Sequence, residues 1–160
     1  MPEAARPTTS EEQAFLDEAA THCRQRGASL TPIRRQVLAL LRRQAGGFKA
    51  YDLLERVKLA HPSASPPTVY RALDFLIEQG LAHKIGRTNQ FVACNHDCHD
   101  EAGLFLVCPR CGRVTELHDE TALAALTTTL ESAGHTLADP EIEISAVCRV
   151  CSQGTEGNEG

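Results

Sequence analysis

Two Cys-x-x-Cys pairs, Cys108-Pro109-Arg110-Cys111 and Cys148-Arg149-Val150-Cys151, constrain this chain more than any other feature. Two thiolates two residues apart can grip one ion from a single tight turn, and two such turns complete a tetrahedral sulfur shell. The fold must then bring together turns separated by 36 residues. That is longer than the roughly 15–20 residues of a simple zinc ribbon, so a helix and a strand are expected between them. Gly112, just after the first pair, suits a backbone that folds back on itself. A redox CxxC would open a helix after a strand, whereas this pair precedes a strand-like run, Arg113–Leu117. Four sulfurs around zinc leave no open position for a substrate, so the expected role is structural.

The cysteine count is seven, which is odd, and four of them fall in these pairs. In a cytosolic chain that favours metal thiolates over disulfides. The opening run MPEAARPTTSEEQ has no apolar core of the kind a secretory leader needs, and no apolar run reaches the roughly 18 residues that span a bilayer, so a cytoplasmic location is expected. A chain of 160 residues accommodates two small domains. Each would have a thin core that gains from a metal or a partner subunit.

The net charge of -5 hides a split. Residues 1–92 carry thirteen Lys and Arg against nine Asp and Glu, and residues 93–160 carry three against twelve. A front half at +4 and a back half at -9 suggest that only the front meets an anionic polymer.

The front half reads as four helices and a hairpin. Ser10 is the expected N-cap of a helix over 11–26, with Phe15, Ala19 and His22 or Cys23 at helical spacing and Gly27 as its stop. Thr31 and Pro32 open a second helix with the stripe Ile33, Val37, Leu40 and Leu41. Gly46-Gly47 breaks the chain before a third helix, AYDLLERVKLA, and Ser65-Pro66-Pro67 opens a fourth, TVYRALDFLIEQ. In the fourth, Val69, Leu73, Leu76 and Ile77 form the inner face, with Thr68, Arg71 and Asp74 on the other side. Two strands, LAHKIG and NQFVAC, follow. Helices then a hairpin are the order of a winged helix-turn-helix, whose fourth helix here would enter the major groove. The back half reads as strands at Leu104–Val107 and Arg113–Leu117, a helix over 119–133 and a strand at Glu141–Val147. The fold class is therefore α+β. A winged-helix DNA-binding domain spans 1–94, with 1–10 flexible. A hinge follows at 95–101, then a dimerisation and zinc-binding domain at 102–152 and a disordered tail at 153–160.

Outside the four-sulfur set, His83, Cys94, His96, Cys98, His99, Glu116 and His118 cluster around that hinge. A mixed nitrogen, sulfur and oxygen set of this kind suits zinc, and a thiolate disfavours magnesium or calcium. Shared across the hinge, it would bind only in one mutual orientation of the two domains and so act as a switch. His22, His61 and His135 lack clustered partners and read as solvent or packing residues, and Cys23 as a small buried side chain.

The segments LTPIRRQVL, AYDLLERV, PPTVYRALDFLIEQGLAHKI, CPRCGRVTEL and CRVC resemble the ferric uptake regulator family, and most closely its zinc-responsive branch. The resemblance covers roughly residues 11–152. It implies a homodimeric repressor that binds operator double-stranded DNA when zinc is abundant and silences zinc-uptake genes, with two zinc ions per chain. It assigns Cys108, Cys111, Cys148 and Cys151 to structural zinc, and His83, Cys94 and Glu116 to regulatory zinc. For the family's remaining histidine, His99 is the choice, with His96 in reserve and Cys98 as a competitor. Tyr51 and Arg71 match positions that touch DNA, and Thr68 and Tyr70 on the same helix as Arg71 join them. The alternatives are an iron- or peroxide-sensing relative, a zinc buffer, or a zinc deaminase. The last is suggested by His99-Asp100-Glu101 ahead of the first CxxC, although Val107 stands where that signature has proline. No enzymatic role is expected.

Overall fold

Four helices precede the hairpin: α1 Ser10–Gln25, α2 Pro32–Arg43, α3 Ala50–Lys58 and α4 Pro66–Glu78. The structure, a computed structural model, describes residues 9–44, 46–94, 103–139 and 141–154. Helix α1 starts one residue earlier than expected. Its cap is Thr9, whose hydroxyl accepts the Glu12 N–H at 3.2 Å, while Ser10 is already helical. Leu16, Ala19 and Cys23 point inward, and Phe15 is only half-buried beneath the Arg42 guanidinium, 4.0 Å from the ring centre. Glu12, a first-turn acid, is buried and takes two hydrogen bonds from Arg43, at 2.8 and 3.1 Å. That pairing is what lets a carboxylate sit there.

Helix α2 is more central than a single stripe implies. Val37, Leu38, Ala39, Leu40 and Leu41 are all buried, because α1, α3, α4 and the sheet pack around it. Thr31 occupies its N-cap without a side-chain hydrogen bond, and Pro32 fills the first turn. At the start of α4, the Ser65 N–H donates to the Thr68 hydroxyl at 3.3 Å and Pro66-Pro67 occupy the first positions. Val69, Ala72, Leu73 and Leu76 face the core, and Ile77 is half-buried.

The hairpin strands are β2 Ala82–Ile85 and β3 Gln90–Ala93. The sequence pattern missed a third strand, β1 Phe48–Lys49, which pairs antiparallel with β3 and sets the order β1-β3-β2. Gly47 makes this possible. Its φ is +72°, and a Cβ there would stand 2.5 Å from the Phe91 carbonyl oxygen. These helices and strands make a winged helix-turn-helix.

The chain divides into two compact units, Met1–His99 and Asp100–Gly160. In the second, β4 Gly103–Val107 pairs antiparallel with β5 Val114–Leu117 and parallel with β6 Glu141–Ser145, in the order β5-β4-β6. The parallel pair requires a crossover, supplied by α5 Glu120–Ser132. Asp119 caps α5 by accepting the Ala122 N–H at 2.9 Å. A short helix absent from the sequence reading, α6 Arg149–Gln153, ends the unit, so Gln153 is helical rather than part of a tail. Leu104, Phe105, Val107, Cys108 and Val114 are buried, whereas α5 buries no residue. Leu117, Ile144, Val147 and Val150 are exposed. No described helix is long and apolar enough to cross a membrane. The expected hinge, residues 95–101, lies outside the described residues.

Candidate metal centres and nucleic-acid face

Strand β4 ends one residue before Cys108, and the chain turns there without entering a helix. The Cys108 N–H donates to the Arg113 carbonyl and the Gly112 N–H to the Cys108 carbonyl, both at 2.9 Å. Gly112 has φ +73°, the left-handed value that closes such a turn. Cys148 sits just before α6 and Cys151 within it, and the Ser152 N–H donates to the Cys148 carbonyl at 2.9 Å. The ligand atoms of Cys108, Cys111, Cys148 and Cys151 all lie within 4.8 Å of one another. Cys111 Sγ and Cys148 Sγ are 3.7 Å apart. Zinc–sulfur bonds of about 2.3 Å in a tetrahedron separate the sulfurs by about 3.8 Å, so the four residues fit that ion.

The backbone prepares the sulfurs unequally. The Cys148 N–H points at Cys108 Sγ from 3.5 Å. That donor, followed by the N–H of Cys111, lowers the Cys108 thiol to about 6. Cys148 is lowered as well, first by the N–H of Cys151. Cys151 is pushed up to about 12 by its neighbouring sulfurs, Cys148 first. Without a cation, the last thiol of a crowded cluster keeps its proton. A divalent ion at the centre would remove that obstacle, because a coordinating thiol loses its proton.

The second candidate set begins in the wing. His83 on β2 lies opposite Val92 on β3. Cys94 is two residues beyond Val92 and therefore on the same face. The ligand atoms of His83 and Cys94 fall within 4.8 Å of each other. Cys94 is buried, and its N–H donates to the Leu81 carbonyl at 2.9 Å. In the second unit, Glu116 lies on β5 opposite Phe105, and its Oε1 is 3.0 Å from His118 Nε2. Glu116 lies within β5 and His118 one residue past its end, and their i, i+2 spacing in extended chain points both side chains the same way. His96, Cys98 and His99 lie outside the described residues, as does Glu101 of the deaminase-like stretch.

Along α4, Arg71 and Asp74 are exposed. Tyr70 is 51 % exposed, and Tyr51, in the first turn of α3, is 72 % exposed. Both tyrosines of the chain thus face outward, where an isolated core would have drawn them in. Thr68 is half-buried with its hydroxyl committed to the helix cap, 3.0 Å from Ser65 Oγ, which leaves its methyl as the free contact. Two contacts orient this helix that the sequence did not reveal. Arg34 of α2 lies 3.7 Å over the Phe75 ring, and His22 Nε2 is 2.8 Å from the Gln79 carbonyl at the C-terminal end of α4.

The family model described as the ferric uptake regulator family matches residues 25–145. The zinc uptake regulation protein of Escherichia coli (strain K12) is 41% identical over 140 residues, which is 87% of this chain and 82% of that protein. The peroxide operon regulator of Bacillus subtilis (strain 168) is 28% identical over 86% of this chain and 94% of its own length. Among solved structures, a zinc uptake regulator complexed with zinc and DNA superposes with a TM-score of 0.79 at 38% identity. That match covers 92% of this chain and 99% of that one.

Proposed function

The chain belongs to the ferric uptake regulator family, and from that premise we propose that it is a zinc-responsive transcriptional repressor. As a homodimer in the cytoplasm it binds operator double-stranded DNA and silences zinc-uptake genes when zinc is plentiful. The observation that carries this reading is the match, over nearly the whole chain, to a zinc uptake regulator complexed with zinc and DNA. The peroxide regulator is the more distant relative, and the thiolate of Cys94 favours zinc over ferrous iron as the sensed metal.

Each chain takes two zinc ions. Cys108, Cys111, Cys148 and Cys151 hold the structural one, as their mutual spacing supports. His83, Cys94, Glu116 and His99, with His96 in reserve, hold the regulatory one. Bound there, zinc would supply a bridge between wing hairpin and second domain across the hinge at 95–101. His83 on β2 and Cys94 beyond β3 put one ligand on each arm of the hairpin, so fixing them fixes the wing and α4 behind it. His118 holds the Glu116 carboxylate, the role of an outer partner that orients a ligand.

Arg71 reads base edges from α4, since a guanidinium can pair with purine acceptors in the major groove. Tyr51, Tyr70 and Thr68 position the helix against the backbone and bases. The exposed Leu117, Ile144, Val147 and Val150 of the second domain are the apolar surface a partner subunit would cover.

The test is operator binding by wild type and His83→Ala at buffered zinc. A tenfold to thousandfold zinc-dependent gain in affinity needs about 1.4–4 kcal/mol of coupling. The wild type should show that gain. His83→Ala should fold and dimerise but lose it. A variant that still binds DNA normally when zinc is held low by chelator would sink the switch.

A further inference from the structure

The cations of the acidic back half are not spread over it. Residues 93–160 contain twelve Asp and Glu and three Lys and Arg, and those three are Arg110, Arg113 and Arg149. Every one stands within two positions of a cysteine of the four-sulfur cluster. Arg110 lies inside the first CxxC and reaches the second. Its Nη1 donates to the Cys151 carbonyl at 2.8 Å, a bond that joins the two turns without using a sulfur.

Four thiolates around one divalent zinc carry a net charge of about -2. Placed in a unit already rich in carboxylates, that dianion is raised in energy by its surroundings. A guanidinium offsets it permanently, because it keeps its proton at any pH the protein meets. Cys111 is exposed and Cys148 and Cys151 are partly so, which leaves the cluster open to competing ligands. A brace between the turns therefore matters: a sulfur that detaches stays in reach and rebinds before a second one leaves.

We propose that Arg110, Arg113 and Arg149 form a cationic collar that retains zinc in the four-sulfur cluster, with Arg110 also the positioning residue that ties the Cys151 turn to the Cys108–Cys111 turn. The proposal rests on the reading that the four cysteines hold zinc, and the experiment separates the two.

Zinc stoichiometry is measured first on the dialysed full-length wild type and on Cys108→Ser. Transfer of the slowly released ion to a colorimetric zinc chelator is then timed in wild type, Arg110→Gln, Arg110→Lys, Arg113→Gln and Arg149→Gln. Arg110→Gln should lose zinc about ten- to a hundredfold faster, as for other outer partners of metal ligands. Arg113→Gln and Arg149→Gln, which remove charge alone, should speed release about two- to fivefold, on the scale of exposed charge pairs. Those two differences should shrink in about 1 M salt, where the screening length falls to roughly 3 Å. Arg110→Lys, which keeps the charge, should fall between wild type and Arg110→Gln. All four arginine variants are exposed at the mutated position and should melt as the wild type does when fully loaded. Wild-type release rates in Arg110→Gln, or effects of Arg113→Gln and Arg149→Gln that ignore salt, overturn the collar while leaving the zinc reading intact. A wild type with no slowly released ion overturns the zinc reading itself, and the collar with it.

Discussion

The two units of this chain are held together by different physics. The first buries Leu38, Leu40, Leu41, Leu53, Leu73 and Leu76 almost completely, around the central α2. The second buries Leu104, Phe105, Val107 and Val114 on two strands of a three-stranded sheet, and no residue of its longest helix is buried. An apolar core of the first kind gains about 25 cal/mol per Å² removed from water. A unit as thin as the second must find its stability elsewhere, in a bound ion and a partner surface. The same contrast separates the two candidate metal sets. Four cysteines on two turns of one unit form a closed site suited to holding a fold. His83 on β2 and Cys94 just past β3 bring one nitrogen and one sulfur together in the wing, an open set rather than a four-sulfur one.

That contrast can be tested by mutation, one unit at a time. Cys108→Ser should have the largest effect. Structural zinc contributes apparent folding free energy of about 10 kcal/mol or more, so the second unit should lose zinc and its folded circular dichroism, and with it the dimer in sedimentation. An intact dimer with a full metal complement would place the stability of that unit in its packing after all. Leu53→Ala should cost the first unit about 3 kcal/mol in chemical denaturation through the cavity it leaves, with zinc content unchanged. Arg71→Ala should weaken specific operator binding by about 1–3 kcal/mol and relax preference at one base position, while leaving both stability and zinc affinity alone. Thr9→Ala is the smallest change. Losing the cap of α1 should lower the stability of the first unit by about 1 kcal/mol in a denaturant titration, without any change in DNA affinity at saturating zinc.

Local signals carried the reading of the sequence a long way. Ser65-Pro66-Pro67 ahead of Val69, Leu73 and Leu76 announced α4 because caps and a 3.6-residue period act within a few turns of chain. The two CxxC pairs announced their own meeting, because four thiolates have few other uses in a reduced chain. At the start of α1 the expected cap is Ser10, and the cap is instead Thr9, whose hydroxyl reaches the Glu12 N–H.

Other features arise only when distant segments meet. Phe48–Lys49 is too short to have a period, and it is a strand because Gly47 lets the backbone approach Phe91. Glu12 is buried because Arg43 folds against it, and His22 reads as a solvent or packing residue until its ring meets the end of α4. His83 and Cys94 share a face because β2 pairs with β3 in one register, and a slip of one residue would have turned them apart. Residue spacing acts along the chain, whereas a metal site and a strand register are properties of packing across it. For that reason the ligand types could be named from the chain, and their geometry came from the fold.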